Sequence, residues 1–257
     1  MRRNANLFAS LVGMVILTSC VAASPPSRLA QYVGSVVPEE AVTAKLPASR
    51  PLHTALVVVA DQSAPDSIPV LPDEALARVG ELLTGEINRG YPLAVERVVK
   101  LDGMLPGGRA PSWPEVARQQ GVDYLLVTVL SSTEQEYPIS LFLGWTTHQQ
   151  PGFRRDNWSL AEAALIDGST GRTLLRAEGR AMATLDRPTV PGISQWYPVI
   201  YLRPQDPERR IWPPTYEGAT LTLRLIAMEQ AAKRLAGNLQ RAWVEQRDLE
   251  LASLARS

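Results

Sequence analysis

The chain has 257 residues, of which 45% are hydrophobic, and its 26 Lys+Arg balance 26 Asp+Glu. This composition excludes a chain that is disordered throughout, and the balanced charge excludes a general attraction to nucleic acid or to an acidic substrate. The single Cys excludes an intrachain disulfide and a zinc site built from Cys, and two His are too few to favour a metal site built from His. Neither a metal nor a cofactor is therefore expected.

The amino terminus has the pattern of a secretory signal peptide. Residues 1–4 include two Arg, and residues 5–17 are almost entirely apolar. As a helix, this apolar run spans about 20 Å, which is short of the ~30 Å hydrocarbon core of a bilayer. A cleaved signal is therefore predicted rather than a membrane-spanning helix.

The residues that follow are Leu17-Thr18-Ser19-Cys20. They resemble the lipobox of bacterial lipoproteins, in which an aliphatic residue and two small residues precede a Cys. The resemblance implies that residues 1–19 are removed, and that Cys20 carries a lipid on its sulfur and a fatty acyl group such as palmitate on its amino group. Val21 stands where an Asp favours retention at the inner membrane, so the resemblance also implies an outer-membrane lipoprotein facing the periplasm.

Residues 20–51 are predicted to form a Pro-rich tether between this anchor and the domain. Residues 28–37 within it favour a short helix, or a segment docked on the domain. As a flexible chain, the tether has an r.m.s. reach of about 30 Å. Its prolines are Pro25, Pro26, Pro38, Pro47 and Pro51.

One periplasmic α/β domain is predicted for residues 52–246. Residues 54–60 are apolar and β-branched, which is typical of a strand covered on both faces. Pro72 begins a predicted helix that ends at Gly90, and the alternation in residues 93–101 indicates a second strand.

The next elements are a short helix and three strands. Ser112 and Glu115 have the spacing of a capping box, and Gly121 ends the predicted helix. Strands are predicted at residues 122–130, 159–167 and 172–185, with a hairpin turn at residues 168–171.

A long helix is predicted from about Gly218. Its apolar stripe favours packing on the sheet, or a coiled coil with a partner for the part beyond Trp243. Residues 247–257 are interpreted as the helix end or a tail. The order β-α-β-α-β-β-β-α predicts an α/β (α+β) sandwich, with a mixed sheet of about five strands and helices packed on it. The helical crossovers predict parallel pairing of the first strands.

Three segments carry a further resemblance. They are Gly-Val-Asp-Tyr-Leu-Leu-Val at 121–127, Ala-Ala-Leu-Ile-Asp-Gly-Ser-Thr-Gly at 163–171, and the helix with Ala231, Ala232 and Leu235. They resemble the α/β domain of curli-secretion and penicillin-binding-protein-activator lipoproteins and the N-terminal domain of TolB. Ala-Glu-Gly at 177–179 adds a resemblance to rhombotarget lipoproteins. The resemblance covers about residues 52–245 and implies scaffolding, activation or assembly without catalytic residues.

Few residues fit a reaction centre. His53 and His148 lie in separate polar segments and are interpreted as surface residues. Asp61 and Asp102 each follow a predicted strand, at the carboxyl end where open α/β sheets bind ligands. The alternative function is therefore an envelope hydrolase that uses Asp61 and Asp102 as paired carboxylates. Apart from this alternative, no catalytic residue is assigned.

Residues 137–158 and 186–217 are rich in aromatic residues and Arg. The prolines of the second segment, a Pro/Trp-rich insertion, predict an absence of regular structure there. Exposed aromatic residues and Arg are typical of protein interfaces and membrane surfaces, and the alternative is a lid folded back on the sheet. The candidate partner or membrane surface consists of Trp145, Trp158, Trp196, Tyr197, Tyr201 and Trp212.

The sequence therefore favours a non-enzymatic, lipid-anchored protein of the cell envelope that recruits, activates or assembles a partner. The expected partners are the membrane, through the N-terminal lipid, and either an envelope protein or further copies of the chain. Self-association would use the long helix and residues 137–158. Nucleic acid is not an expected partner.

Overall fold

The computed structural model describes residues 24–34, 51–61, 71–90, 92–100, 111–142, 149–189, 197–203 and 206–254. The elements in chain order are α1 (Leu29–Val33), β1 (Leu52–Ala60), α2 (Asp73–Asn88), β2 (Leu93–Lys100), α3 (Trp113–Gln120), β3 (Tyr124–Phe142), β4 (Gln149–Asp167), β5 (Thr173–Pro188), β6 (Val199–Arg203), β7 (Asp206–Ile211) and α4 (Ala219–Leu254).

The strands form one mixed sheet of seven, in the order β2-β1-β3-β4-β5-β6-β7. β1 pairs in parallel with β2 and β3, as the helical crossovers predict, and every later pair is antiparallel. The mixed α/β class is confirmed. The predicted number of about five strands is wrong, because β6 and β7 lie in the insertion at residues 186–217.

β6 and β7 form despite the prolines of the insertion, because Pro188, Pro198 and Pro207 lie at strand ends or in an edge strand. Pro188 is the last residue of β5, and Pro198 immediately precedes β6. Pro207 lies inside β7, which is an edge strand of the sheet. Strand ends and edge strands are the places where a sheet accepts a residue without an N–H donor.

Helices cover both faces of the sheet around its parallel strands. α2 and α4 pack on one face against Leu56 and Leu126, and α1 and α3 pack on the other face against Val57 and Leu125. β1 is therefore buried on both sides, as its continuous apolar run predicts.

β3 and β4 are longer than predicted, with 19 residues each. The predicted strands at residues 122–130 and 159–167 are their apolar halves. The outer halves are polar and aromatic, so no buried apolar run marks them in the sequence. The first turns of α4 cover one face of this outer region, where Leu185, Ile200 and Leu223 form a separate buried cluster.

α4 crosses β5 in direct backbone contact at Gly179. A Cβ atom on Gly179 would lie 2.1 Å from the carbonyl oxygen of Ala231. Asn238 Nδ2 donates to the carbonyl oxygen of Glu178 at 2.7 Å, and Arg234 donates to that of Arg180. Side chains of α4 thus take the backbone acceptors of β5 just before its pairing with β6 begins.

The outer edge of β2 is also occupied by a side chain. Asn88 Oδ1 accepts from the N–H of Val95 at 2.7 Å, and Asn88 Nδ2 donates to its carbonyl oxygen at 3.0 Å. The register with β1 shifts between Thr54 and Ala55, so that Glu96 is passed over as a β-bulge. Asn88 thus occupies peptide groups on the open side of β2, and the bulge interrupts the β1–β2 ladder on its other side.

The capping box predicted for α3 is wrong in its hydrogen bonds. Ser112 is the N-cap residue but makes no side-chain cap hydrogen bond. Glu115 instead accepts from Arg118 and from Gln119 along the same helix. The predicted C-terminal glycine is confirmed, since Gly121 has a φ of 64° in the left-handed region.

α4 begins next to Gly218, as predicted, and extends past the folded body. Trp243 is buried, whereas Val244, Leu249 and Leu251 are exposed. Among the described helices, α4 included, none has the length and apolar content needed to cross a membrane.

Candidate functional site

The structure divides the predicted surface residues into three groups. Trp158, Tyr197 and Tyr201 are half-buried, whereas Trp212 follows β7 and is 48% exposed. Cys20, Asp102, Trp145, His148 and Trp196 lie outside the described residues. The half-buried residues fit packing against the sheet, and Trp212 fits a contact surface.

Trp212 belongs to a group of exposed aromatic residues at one end of the molecule. Phe153 and Tyr216 are 36% and 39% exposed, and we name these three residues the aromatic end. The Tyr216 hydroxyl donates to the carbonyl oxygen of Pro188 at 3.4 Å, which places it where β5 ends. Phe153 pairs across the strands with Arg187, whose guanidinium lies 5.9 Å from its ring.

Register brings Trp212 to the same end. Ile211, which precedes it, pairs with Ile200, and Ile200 pairs with Leu185 near the end of β5. Phe153 and Tyr216 lie in the two aromatic-rich segments of the sequence but are not among the predicted surface residues. The strand pairing that unites them with Trp212 depends on β6 and β7, which the sequence did not predict.

Beneath this end, one sheet face carries a compact polar network. Arg154 donates to both carboxylate oxygens of Asp186, at 2.6 and 2.7 Å. Asp156 accepts from the Tyr137 hydroxyl at 2.9 Å and from the Thr184 hydroxyl at 2.7 Å. Burial and the bond to Asp156 raise the pKa of Tyr137. The carboxylates of this network therefore serve to hold neighbouring strands.

A second network joins the opposite face to α4. Arg224 donates to both carboxylate oxygens of Glu134, at 2.7 and 2.9 Å. Arg155 donates to Thr220 at 3.0 Å and to Glu136 at 2.8 Å. Paired, geometrically fixed guanidinium–carboxylate contacts of this kind give a rigid support for the aromatic end.

The segment 24–34, which we call the strap, contacts buried carboxylates far along the chain. The carboxylate of Glu162 in β4 accepts from the backbone N–H of Arg28 at 2.8 Å, from that of Leu29 at 3.3 Å, and from the Ser27 hydroxyl. The Tyr32 hydroxyl donates to Asp61 at 2.6 Å. Burial and this bond raise the pKa of Tyr32.

Arginines of β5 hold both ends of the strap. Arg180 donates to the Ser24 hydroxyl at 2.6 Å and to the carbonyl oxygen of Pro25 at 3.0 Å. Arg176 donates to the carbonyl oxygen of Gly34 at 3.0 Å. The short docked helix that residues 28–37 favour is thus α1, with Leu29 and Tyr32 buried.

The strap also determines the environment of Asp61, which the sequence analysis paired with Asp102. Asp61 is buried, and besides Tyr32 it has Arg28 Nε 4.0 Å from Oδ2. Asp102 lies outside the described residues, so the pairing of Asp61 with Asp102 in a hydrolase site stays a prediction.

His53 lies at the surface at the start of β1. Its Nδ1 hydrogen-bonds with the carboxylate of Glu96 in the neighbouring strand, which raises the pKa of His53. Within the described part of the chain, no group of three or more His, Cys, Asp or Glu side chains has the arrangement of a metal site.

Comparison with known proteins gives matches among solved structures alone. No family model and no curated protein matches the chain. A neuraminyllactose-binding hemagglutinin homolog from Helicobacter pylori shares 9% identity over 80% of this chain and 98% of its own, with a TM-score of 0.41. PelC from Paraburkholderia phytofirmans shares 17% identity over 76% of this chain and 93% of its own, with a TM-score of 0.29.

Lipoprotein GNA1162 from Neisseria meningitidis shares 12% identity over 51% of this chain and 82% of its own, with a TM-score of 0.31. The structural neighbours thus include a bacterial lipoprotein. At these identities and TM-scores, the matches carry no argument about what this chain does.

Proposed function

We propose that the chain is a lipid-anchored protein of the bacterial outer membrane, facing the periplasm, that binds an envelope protein and performs no catalysis. The role is that of a recruiting, activating or assembly factor. It agrees with the resemblance of residues 121–127 and 163–171 to envelope lipoproteins with scaffolding roles. The observation that carries the binding role is the aromatic end.

The anchor follows from the amino-terminal sequence. Cys20 is the single Cys of the chain and stands where the lipobox needs a nucleophilic sulfur. One acyl chain gives only reversible membrane binding, whereas the two or three that a lipobox Cys carries keep a protein at the membrane.

The binding role rests on the chemistry of the aromatic end. Trp, Tyr and Phe supply large contact areas at little cost in side-chain entropy, and Trp and Tyr are frequent at the energetic centres of interfaces. Trp212, Tyr216 and Phe153 lie at the same end of the sheet, next to two networks of ion pairs, so the strands that carry this surface are rigid before it meets a partner.

The anchor is tested by mass spectrometry of the processed protein. We expect cleavage before Cys20 and an added mass of diacylglycerol and acyl chains, and we expect a Cys20→Ala variant to keep an unmodified, uncleaved leader. An unmodified Cys20 thiol in the wild-type protein would contradict the proposal.

The binding role is tested by crosslinking in intact cells, comparing two double variants. Trp212→Ala with Tyr216→Ala should abolish the crosslinked species. Val98→Ala with Val244→Ala removes exposed apolar side chains elsewhere and should leave it unchanged. Crosslinks between copies of the chain would identify self-association as the assembly. Crosslinks that persist in the first variant would place the binding surface elsewhere.

A further inference from the structure

The strap limits how far the domain can stand from the anchor. Ser24 is the first strap residue held by the domain, through Arg180, and it lies four residues after Cys20. Four fully extended residues span at most about 14 Å. A free tether of residues 20–51 would instead allow about 30 Å.

The strap is held firmly enough for this limit to apply. Glu162 is 3% exposed, and its described hydrogen bonds come from Ser27, Arg28 and Leu29 of the strap. Removing the strap would leave this carboxylate without those donors, together with the apolar surface that Leu29 and Tyr32 cover. These hydrogen bonds and the burial of Leu29 and Tyr32 both favour the docked arrangement.

We propose that the face of the sheet that carries the strap, centred on Arg180 of β5, is the membrane-facing surface of the protein. The proposal rests on the lipidation of Cys20. The occupant is the lipid headgroup layer, because Ser24 is held on this face and at most about 14 Å of extended chain connects it to the anchor.

The same limit orients the aromatic end. Arg180 pairs with Leu160 and Arg187 with Phe153, so seven residues of β5 separate the Ser24 site from the aromatic end. At about 3.3 Å per residue, this is roughly 23 Å. If the aromatic end rested on the leaflet, Ser24 would lie roughly 23 Å from it, which exceeds the about 14 Å that residues 20–24 can span. The aromatic end therefore faces the periplasm or lies alongside the leaflet, where a protein partner has access to it.

The test measures energy transfer from a dye on the domain to acceptor headgroups in vesicles of phosphatidylethanolamine and phosphatidylglycerol. It uses the full-length, lipidated protein. Because the Cys20 sulfur is occupied by lipid, an introduced Cys is the reactive thiol. Gln119→Cys places the dye on α3, which shares the strap face, and Glu81→Cys places it on α2, on the opposite face. Both residues are exposed.

Two insertions of the same 20-residue Gly-Ser spacer distinguish a docked strap from a released one. One follows Ala23, between the anchor and the strap, and the other follows Val42, between the strap and β1. With the strap docked, only the first lengthens the connection, so we expect it to lower transfer from Gln119→Cys by at least about a third. The second insertion is the matched control and should leave transfer unchanged.

We also expect greater transfer from Gln119→Cys than from Glu81→Cys. Equal losses from both spacers, or greater transfer from Glu81→Cys, would overturn the proposal. A Glu162→Gln variant should make the second spacer effective; the spacer pair keeps the test valid if that variant does not fold. Mass spectrometry of each sample distinguishes a failure of the proposed anchor from a failure of the proposed orientation. An unmodified Cys20 contradicts the anchor itself, whereas a lipidated Cys20 with equal spacer effects contradicts only the orientation.

Discussion

Gly179 is the residue at which the packing of α4 on β5 has no spare space. A Cβ there would meet backbone atoms, the carbonyl oxygen of Ala231 at 2.1 Å and the N of Leu235 at 2.3 Å. Backbone cannot rotate away as a long side chain can, so an added methyl group must push the helix from the sheet.

We predict that Gly179→Ala lowers the free energy of unfolding by about 1–3 kcal/mol, as overpacking typically does. Gly237→Ala is the matched control, because a Cβ at Gly237 of α4 has nothing within 4 Å. In a helix interior it should raise stability by up to about 1 kcal/mol. Urea unfolding measures both, and an equal effect of the two substitutions would contradict the close contact.

His53 gives a prediction about pH. The hydrogen bond with Glu96 and the negative charge of Glu96 raise the pKa of His53 above the unperturbed 6.5. A raised pKa means that the pair contributes stability fully below pH 6.5, and that this contribution is lost as pH rises through the folded pKa. Glu96→Gln should return the His53 pKa towards 6.5 in an NMR titration. An unchanged midpoint in this variant would show that Glu96 does not determine it.

Some residue-level features were visible in the sequence and others were not. Gly121 was recognisable as a helix C-terminus because it follows a short predicted helix that begins near Ser112. The partner of Glu162 was not, because a charged residue inside an apolar strand gives no sign of which distant backbone N–H groups will meet it.

Among the elements, α4 joins the two parts of the sheet. Leu235 packs in the cluster under the parallel strands, and Leu223 packs in the cluster under β5 and β6. Arg224 adds the ion pair with Glu134 on β3. The first turns of α4 therefore hold the outer strands that support the aromatic end.

We predict that Leu223→Ala lowers the free energy of unfolding by about 2–5 kcal/mol, because it empties a buried site. Leu221→Ala is the control on the same helix turn, where the side chain is 42% exposed, and should change stability by about 0.5 kcal/mol or less. Thermal and urea unfolding report both values. A loss for Leu221→Ala as large as that for Leu223→Ala would mean that this part of α4 is packed differently.

The elements that the sequence predicted well are those whose burial makes a pattern. β1 follows an apolar run, and α2 and α4 each follow an apolar stripe, whereas α3 was predicted from the residues at its two ends, Ser112 and Gly121. The outer halves of β3 and β4 were missed because polar contacts such as Arg154 with Asp186 stabilise their pairing. Polar side chains at strand spacing resemble a loop in the sequence. β6 and β7 were missed because the prolines of the insertion predicted an absence of regular structure, although Val199 and Ile200 of β6 are apolar and buried.

At the scale of the whole molecule, the shared helix couples the parallel strands to the antiparallel ones. We predict one cooperative unfolding transition, with coincident midpoints from far-UV circular dichroism and from tryptophan fluorescence. Leu223→Ala and Leu235→Ala should each shift that single midpoint, although they lie in different buried clusters. Separate midpoints would show that the outer strands unfold on their own.

The class and strand pairing of the parallel part could be derived from the sequence, because helical crossovers allow little else. The direction in which the domain faces could not. The proposed orientation depends on the strap. Its carboxylate partners are Asp61, which follows β1 and lies 29 residues from Tyr32, and Glu162 of β4, which lies 133 to 135 residues from Ser27, Arg28 and Leu29.

The side chain of Asn88 and the bulge at Glu96 have a consequence for crowding. If the proposed anchor holds copies of the chain in one leaflet, they diffuse in two dimensions and meet more often than the same number dispersed in a volume. An edge strand with unpaired N–H and C=O groups is a template to which a strand of a second copy can pair, and such pairing leads to aggregation. Because the peptide groups of Val95 are already bound to Asn88, the β2 edge offers a second copy no continuous template for strand addition.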